Sequence, residues 1–442
     1  MSRRSLLLII VSAFTAYACY VRAEQNPYSR YVAAGFSIID RWSLQDVPDQ
    51  ELFNGAMTGM VDVLRRHGDE HSQFVAAAQR EAFREDLSQE FGGVGIRLRS
   101  LGDPPQLTVV GPPEFGTPAY RADVQSGDRL TAVDGASIAG LTLDEATELI
   151  RGPIGTDVRL SLTRYDGAEP HDVVLQRAVI VVDSILGDAR DGEGRWVYRL
   201  QDRPDIGYFR ITKFGDKTTA ELTTALADLL ADDAPPTKLI IDLRDNAGGV
   251  LDAATEISDL FLPAGLPIVT TRDRNKKIRE QYLSTGSGKY LDIPLVMLVN
   301  HNSASASEIL AACLQDYHRA LVVGERTYGK GTVQPLIGLE SGRSLLKLTS
   351  ATYWRPSGRN IHRMPGDPEN VQWGVSPDEQ WRVELDERQY LYWRRYRLRR
   401  DLLRSPPHPE LLHQLDLQDG ALPEGFGDVM LDKAIEAIDA AA

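Results

Sequence analysis

The segment Asn300-His-Asn-Ser-Ala-Ser-Ala-Ser-Glu-Ile309 and, downstream, Gly329-Lys330-Gly331-Thr332-Val333-Gln334 hold the residue types that could make a nucleophile and its base. The apolar run Leu295 to Val299 reads as a buried strand, and from Glu308 the apolar positions Ile309, Ala312, Cys313 and Tyr317 recur at helical spacing. Ser305 therefore falls where a helix begins. Unpaired backbone N–H groups and the positive end of the helix dipole suit an oxygen that becomes negative during acyl transfer. The same residues, Ser305-Ala-Ser-Glu308, also spell the S-x-x-E capping box, in which Ser305 would only satisfy a helix end.

A lysine acts as base only as the free amine, which at neutral pH is about one molecule in a thousand for a reference pKa of ~10.4. Burial supplies the correction: a shift of roughly three units corresponds to about 4 kcal/mol of differential solvation. Gly329 and Gly331 let backbone close around the stem of Lys330, and Gln334 offers a neutral hydrogen-bond partner where a carboxylate would hold the proton. A Gly-Lys-Gly stretch is otherwise an ordinary solvated turn. A third segment, Leu239-Ile-Ile-Asp-Leu-Arg-Asp-Asn-Ala-Gly-Gly249, reads as a strand and a turn before a helix from Leu251. Gly248 and Gly249 either bring N–H groups close to a substrate carbonyl or simply make the turn.

Together the three segments resemble the carboxyl-terminal processing, or tail-specific, proteases, a family of serine-lysine peptidases. The resemblance implies Ser305 as nucleophile, Lys330 as base, Gln334 as the residue that orients the lysine, and an oxyanion site made by backbone N–H groups, for which Ala306, Gly248 and Gly249 are candidates. It continues through Gly207 to Phe214, Asp242-Leu-Arg244, Pro356-Ser-Gly358 and Gly374-Val-Ser-Pro-Asp378. It also implies an α/β protease core of crotonase/ClpP-like type.

Two other chemistries compete. His67-Gly-Asp-Glu-His71 matches the H-x-x-E-H zinc spacing, but Gly68 weakens the helix that would align the two rings, and the resembled family has a structural corner there. A Ser-His-Asp triad would draw on His301 or His318, neither of which has an evident acid to orient it, so both read as polar surface or packing residues.

The elements that must position these residues divide the chain into several domains. Residues 24–90 read as helices, with apolar stripes at Tyr31, Ala34, Ile38 and Ile39 and at Phe53, Met57, Val61 and Leu64. In the resembled family such a region helps make dimers. Residues 91–181 carry short strands and turns and look like a PDZ domain, whose carboxylate-binding loop would be Gly92-Gly93-Val94-Gly95 with Ile96 beside the bound peptide. Residues 182–382 alternate strands with helices, which argues an α/β protease core with mostly parallel strands and a site beyond their carboxyl ends. Within it Thr271 to Lys277 is a charged hairpin or lid. Residues 383–442 form a helical tail, in which the arginines of Glu387 to Arg400 either snorkel over the protein's own apolar surface or contact anionic lipid or a partner; Pro406-Pro407 and an alanine-rich helix follow.

At 442 residues and 42% hydrophobic content the chain can bury a large core, and its net charge of -14 argues against nucleic acid as a partner. Arg3-Arg4 followed by the apolar stretch Ser5 to Val21 reads as an export signal over residues 1–23, either cleaved after Val21-Arg-Ala23 or retained as a membrane anchor. Cys19 and Cys313 are the only cysteines; loss of the first leaves no disulfide, and Cys313 reads as a small core residue. The expectation is an exported serine endopeptidase of the periplasm or cell envelope, with no cofactor and no metal. It would act on protein or peptide substrates with free C-termini, and an adaptor protein or a second copy of the chain are further candidate partners. A non-catalytic PDZ scaffold that binds protein tails is the alternative.

Overall fold

The structure, a computed structural model, describes residues 10, 12–15, 26–111, 113, 115–164, 169–286, 288–364, 366, 368, 371–401, 422–423 and 425–441. The expected cleavage site at Val21-Arg-Ala23, Cys19 and Pro406-Pro407 lie outside them. Among the described residues no helix is long and apolar enough to cross a membrane. The chain forms two compact units, one of residues 1–77 with 336–348, the other of residues 78–335 with 349–442.

In the first unit, helix α1 (Pro27–Trp42) begins with proline in its first turn after Asn26, whose side chain accepts from the Tyr28 N–H. Its apolar stripe is uncovered: Tyr28, Tyr31, Ile38, Ile39 and Trp42 are all exposed. Helix α2 (Asp49–Arg66) has acids in its first turn and arginines in its last, matching its dipole. It ends before His67, and Gly68 takes a φ of +93°, so the two histidines of the zinc-like spacing share no helical face. The Asp69 carboxylate instead accepts from the N–H groups of His71 and Ser72 and from the Ser72 hydroxyl, closing a corner. The strand Gln73–Val75 then pairs with Ser344–Lys347, the second arm of a hairpin with Leu336–Leu339. The sequence places that hairpin in the protease core. It belongs to the first unit because its strand partner there is distant in sequence.

The second unit opens with helix α3 (Arg80–Ser88) and the strand Glu90–Gly93, which pairs antiparallel with Ala178–Val181 and so brings the two ends of the PDZ segment together. Between them the antiparallel strands Leu98–Leu101, Gln106–Val109, Arg129–Val133, Asp157–Thr163 and His171–Gln176, with helices α4 (Pro118–Arg121) and α5 (Leu143–Ile150), enclose a core of Val94, Val109, Leu130, Val158, Leu160, Leu162 and Leu175. Helix α5 starts at Thr142 with a complete capping box to Glu145.

A five-stranded sheet organises the rest, in the order Ile185–Leu186, Ile206–Ile211, Lys238–Asp242, Leu295–Val299, Leu321–Gly324. The last four strands are parallel, with Phe209, Ile241, Met297 and Val322 in one row across the sheet. Helices α6 (Thr218–Leu230), α7 (Leu251–Asp259) and α8 (Ala306–Asp316) contribute to the core built on that row's face. A parallel sheet needs both faces covered. Tyr208, Ile240, Val296, Leu298 and Val323 point the other way and meet Met430, Leu431, Ala434, Ala437 and Ile438 of the last helix. Helix α9 (Glu387–Asp401) precedes that helix, α10 (Val429–Ala441). The arginines of α9 divide: Arg388 and Arg394 are exposed and lie over the rings of Tyr392 and Tyr390, whereas Arg395 and Arg397 are buried, Arg397 pairs with Asp188 at 3.2 Å, and Asp401 of the same helix receives Arg210 at 2.6 Å. Thr271 to Lys277 spans the tip of an antiparallel hairpin, Pro267–Arg272 with Ile278–Leu283, whose sheet continues through Ala351–Trp354 to Thr332–Val333.

Candidate active site

Of the three serines in the Ser303 to Ser307 stretch, only Ser305 is partly exposed. Ser303 and Ser307 are fully buried, and their hydroxyls donate to Leu243 O at 2.8 Å and Asn246 O at 2.9 Å. Ala304 N–H donates to Asn246 O at 3.0 Å, so the loop after Leu295–Val299 is stitched to the turn after Lys238–Asp242. An ordinary N-cap residue has extended backbone. Ser305 has φ 57° and ψ -113°, a strained elbow that an end cap alone does not require.

Glu308, one turn into α8, is fully buried and accepts from four donors. Oε2 takes the N–H groups of Ser305 and Lys330, each at 2.8 Å; Oε1 takes Gly329 N–H at 2.7 Å and the Thr327 hydroxyl at 2.5 Å. One carboxylate oxygen thus ties Ser305 and Lys330 together through their backbones. Burial pushes this carboxyl up to about 7, against the pull of the hydrogen bonds from Thr327, Ser305, Gly329 and Lys330. The capping-box spacing of Glu308 is visible in the sequence; its hold on residues 329 and 330 is not.

The other expected residues fall around this clasp. Gly248, at φ +97°, packs so closely that a Cβ would lie 2.7 Å from Ala304 O, 2.8 Å from Ser305 Cβ and 2.9 Å from Ala306 N, so only glycine lets this turn touch Ser305. Its own N–H donates to Asn246 Oδ1 at 2.8 Å, and Asn246 is fixed by donating to Ile211 O at 2.7 Å. Gly249 is exposed beside it, and Ala306 is buried at the start of α8. Lys330 is half-buried. Backbone packs closely on the glycine that follows it: a Cβ on Gly331 would lie 2.2 Å from His362 N. Gln334 follows the strand Thr332–Val333, and its side-chain amide donates to Thr349 Oγ1 at 3.2 Å.

The strand Lys238–Asp242 leads into the site through a buried ionic knot that the sequence hints at only as Asp242-Leu-Arg244. Arg244 donates from Nη2 to Asp242 at 2.6 Å and to Asp428 at 2.8 Å, with its guanidinium 4.5 Å from the Trp393 ring; Tyr208 OH donates to Asp242 at 2.7 Å. Burial disfavours the charged form of Asp242, but the Arg244 guanidinium wins and holds its carboxyl below the usual range. The expectation that His301 lacks an orienting acid is corrected: its Nδ1 lies 2.5 Å from Glu325 Oε2, an acid from the next strand end that is distant in sequence. His318 is exposed after the end of α8, and Cys313, buried in that helix, has its thiol pushed up to about 12 by desolvation.

In the PDZ domain the expected loop is shorter than the sequence suggests. Gly92 and Gly93 lie in the strand paired with Val179 and Ala178, since their ladder partner is remote and leaves no local signal. The turn begins at Val94, whose side chain is buried; Gly95 has φ +86°, and Ile96 packs partly against the PDZ core.

A parallel α/β core with a strained serine elbow, preceded by an antiparallel domain of PDZ type, is the domain order of PDZ-bearing peptidases. Residues 205–380 match peptidase family S41, and residues 109–164 match the PDZ domain. The chain is 34% identical over 389 residues to a carboxy-terminal-processing protease of Bartonella bacilliformis, covering 85% of this chain and 82% of that one. It is 33% identical over 323 residues to a probable CtpA-like serine protease of Staphylococcus aureus, covering 73% of this chain and 60% of that one. Among solved structures, a photosystem II D1 C-terminal processing protease is similar at 26% identity and a TM-score of 0.44, over 82% of this chain and 94% of that one. The chain belongs to the carboxy-terminal-processing proteases of peptidase family S41.

Proposed function

We propose that the protein is an exported serine endopeptidase that cleaves protein substrates at or near their C-termini, with Ser305 as nucleophile, Lys330 as base and Gln334 orienting the lysine. The observation that carries this reading is the Glu308 oxygen shared by the Ser305 and Lys330 N–H groups. A substrate tail docks on the PDZ domain at the Val94 to Ile96 turn, and the scissile bond is drawn past Ser305. Because Lys330 is half-buried, the bound peptide completes its desolvation and favours the free amine. The amine takes the Ser305 proton and Oγ attacks the carbonyl. Ala306 N–H and the Gly248-Gly249 turn hold the oxyanion, with Gly249 the more open donor since Gly248 N–H is engaged by Asn246. Lys330 returns the proton to the leaving amine, and water releases the acyl-enzyme.

The basic flank and apolar stretch at the N-terminus support export to the periplasm or cell envelope, with anchoring if that stretch is retained. The uncovered stripe of α1 supports a second copy of the chain as partner. Incubation with an unstructured, C-terminally tailed substrate tests the dyad: Ser305→Ala and Lys330→Ala should each abolish cleavage, and a chelator should leave the parent protein's rate unchanged. Parental rates in either variant would remove the dyad. A parent protein that binds tails without cutting them would favour the scaffold.

A further inference from the structure

Beyond residue 380, where the peptidase match ends, the chain returns to the carboxyl ends of the central strands. Leu385 N–H donates at 2.9 Å to Glu325 Oε1, just after the strand Leu321–Gly324, while Glu325 Oε2 accepts from His301 N–H at 3.2 Å. Asp386 then accepts from Gln389 N–H at 2.7 Å, fixing the start of α9. Four residues on, the Tyr390 hydroxyl lies 2.9 Å from both carboxylate oxygens of Asp245 and accepts from Asn302 Nδ2 at 3.0 Å. Asn300 and Asn302 themselves donate to Asp245 Oδ1 at 2.8 and 2.9 Å. Asp245 opens the turn to Gly248 and Gly249; Asn302 lies in the loop that ends at Ser305.

We propose that Tyr390 is a positioning residue, its hydroxyl bracing the Asp245 to Gly249 turn against the Asn300 to Ser305 loop so that oxyanion donors and nucleophile keep their separation. The proposal rests on the dyad reading above. Asp245 sits at φ +58° with an exposed side chain, so its orientation depends on such partners rather than on burial. The Tyr390 ring is set between His301, 5.4 Å away, and Trp393, 5.8 Å away, and removing the hydroxyl leaves that packing in place. Burial, and then the Asp245 charge, push the phenol up to about 12, so it keeps the proton it donates.

The full chain and a quenched-fluorescence peptide with a free apolar C-terminus provide the test. Tyr390→Phe should lower kcat about ten-fold, since small misplacements of reacting groups are costly, with KM and melting temperature as in the parent. Amide exchange should quicken at residues 243–250 and 300–306 alone. Tyr392→Phe, on the same helix with its hydroxyl held by Arg388, should match the parent. An unchanged kcat in Tyr390→Phe, or a fall accompanied by lower melting temperature and faster exchange throughout the core, overturns the proposal. If Ser305→Ala cleaves as fast as the parent, the dyad reading falls instead; exchange at the two loops then decides alone, local quickening supporting the brace and unchanged exchange sinking it.

Discussion

Glu308 serves four donors with one side chain, so its replacement should be costly. Both oxygens accept from donors, so a glutamine there must turn its amide NH2 toward either the Ser305 and Lys330 pair or the Gly329 and Thr327 pair. Leaving such groups unpaired costs about 1–3 kcal/mol each. Glu308→Gln should therefore lower the denaturant midpoint by an amount equivalent to at least about 2 kcal/mol and reduce kcat more than Tyr390→Phe does. The pH dependence has a definite sign. The carboxyl is raised from 4.5 unfolded to about 7 folded, so between those values the native state holds a proton the unfolded chain has lost. Stability from this group is fully present below pH 4.5 and lost as pH rises through 7. The gap between parent and Glu308→Gln, followed by urea unfolding, should narrow by up to about 3 kcal/mol over that window, and a constant gap would contradict the assignment.

Two elements meet at the proposed site, the turn at Asp245 to Gly249 and the elbow at Ser305, and glycine is the condition of their contact. Gly248→Ala would place a methyl under 3 Å from Ala304, Ser305 and Ala306 at a φ that L residues rarely adopt. It should cost roughly 1–3 kcal/mol of stability and lower kcat about a hundred-fold, read as peptide hydrolysis beside a melting curve. The buried knot beneath the turn makes a separate prediction. Arg244→Leu leaves Asp242 and Asp428 facing each other without their cation and should destabilise by about 3–5 kcal/mol, since one partner of a buried pair is removed. A change under about 1 kcal/mol in chemical denaturation would mean that the knot is solvated in solution.

For the assembled chain, the C-terminal segment is part of the scaffold rather than an appendage. Ending the chain at residue 384 removes α10, which covers the second face of the parallel sheet, together with Asp428 and Tyr390. The truncated chain should lose cooperative unfolding and aggregate, measurable by calorimetry and size-exclusion chromatography, because an uncovered parallel sheet exposes Tyr208, Ile240, Val296 and Leu298 together. A soluble, cooperatively folding truncation would show that the sheet needs only one layer.

Much of this protein is written locally. Apolar runs and helical spacing place the strand Leu295–Val299, the helix after Ser305 and the helix Leu143–Ile150, because hydrophobic periodicity is a property of neighbours in sequence. The types and order of Ser305, Lys330 and the Gly248-Gly249 pair, with the family they resemble, are legible for the same reason. What no local pattern could fix are the pairings between segments far apart. These include the Glu308 hold on residue 330, the Glu325 beside His301, the strand made by Gly92 and Gly93, and Arg397 of α9 sunk into an ion pair with Asp188. Each depends on which surface a group meets once the chain has collapsed. A carboxylate's partners, and hence its charge, follow from desolvation and geometry that exist only in the folded state.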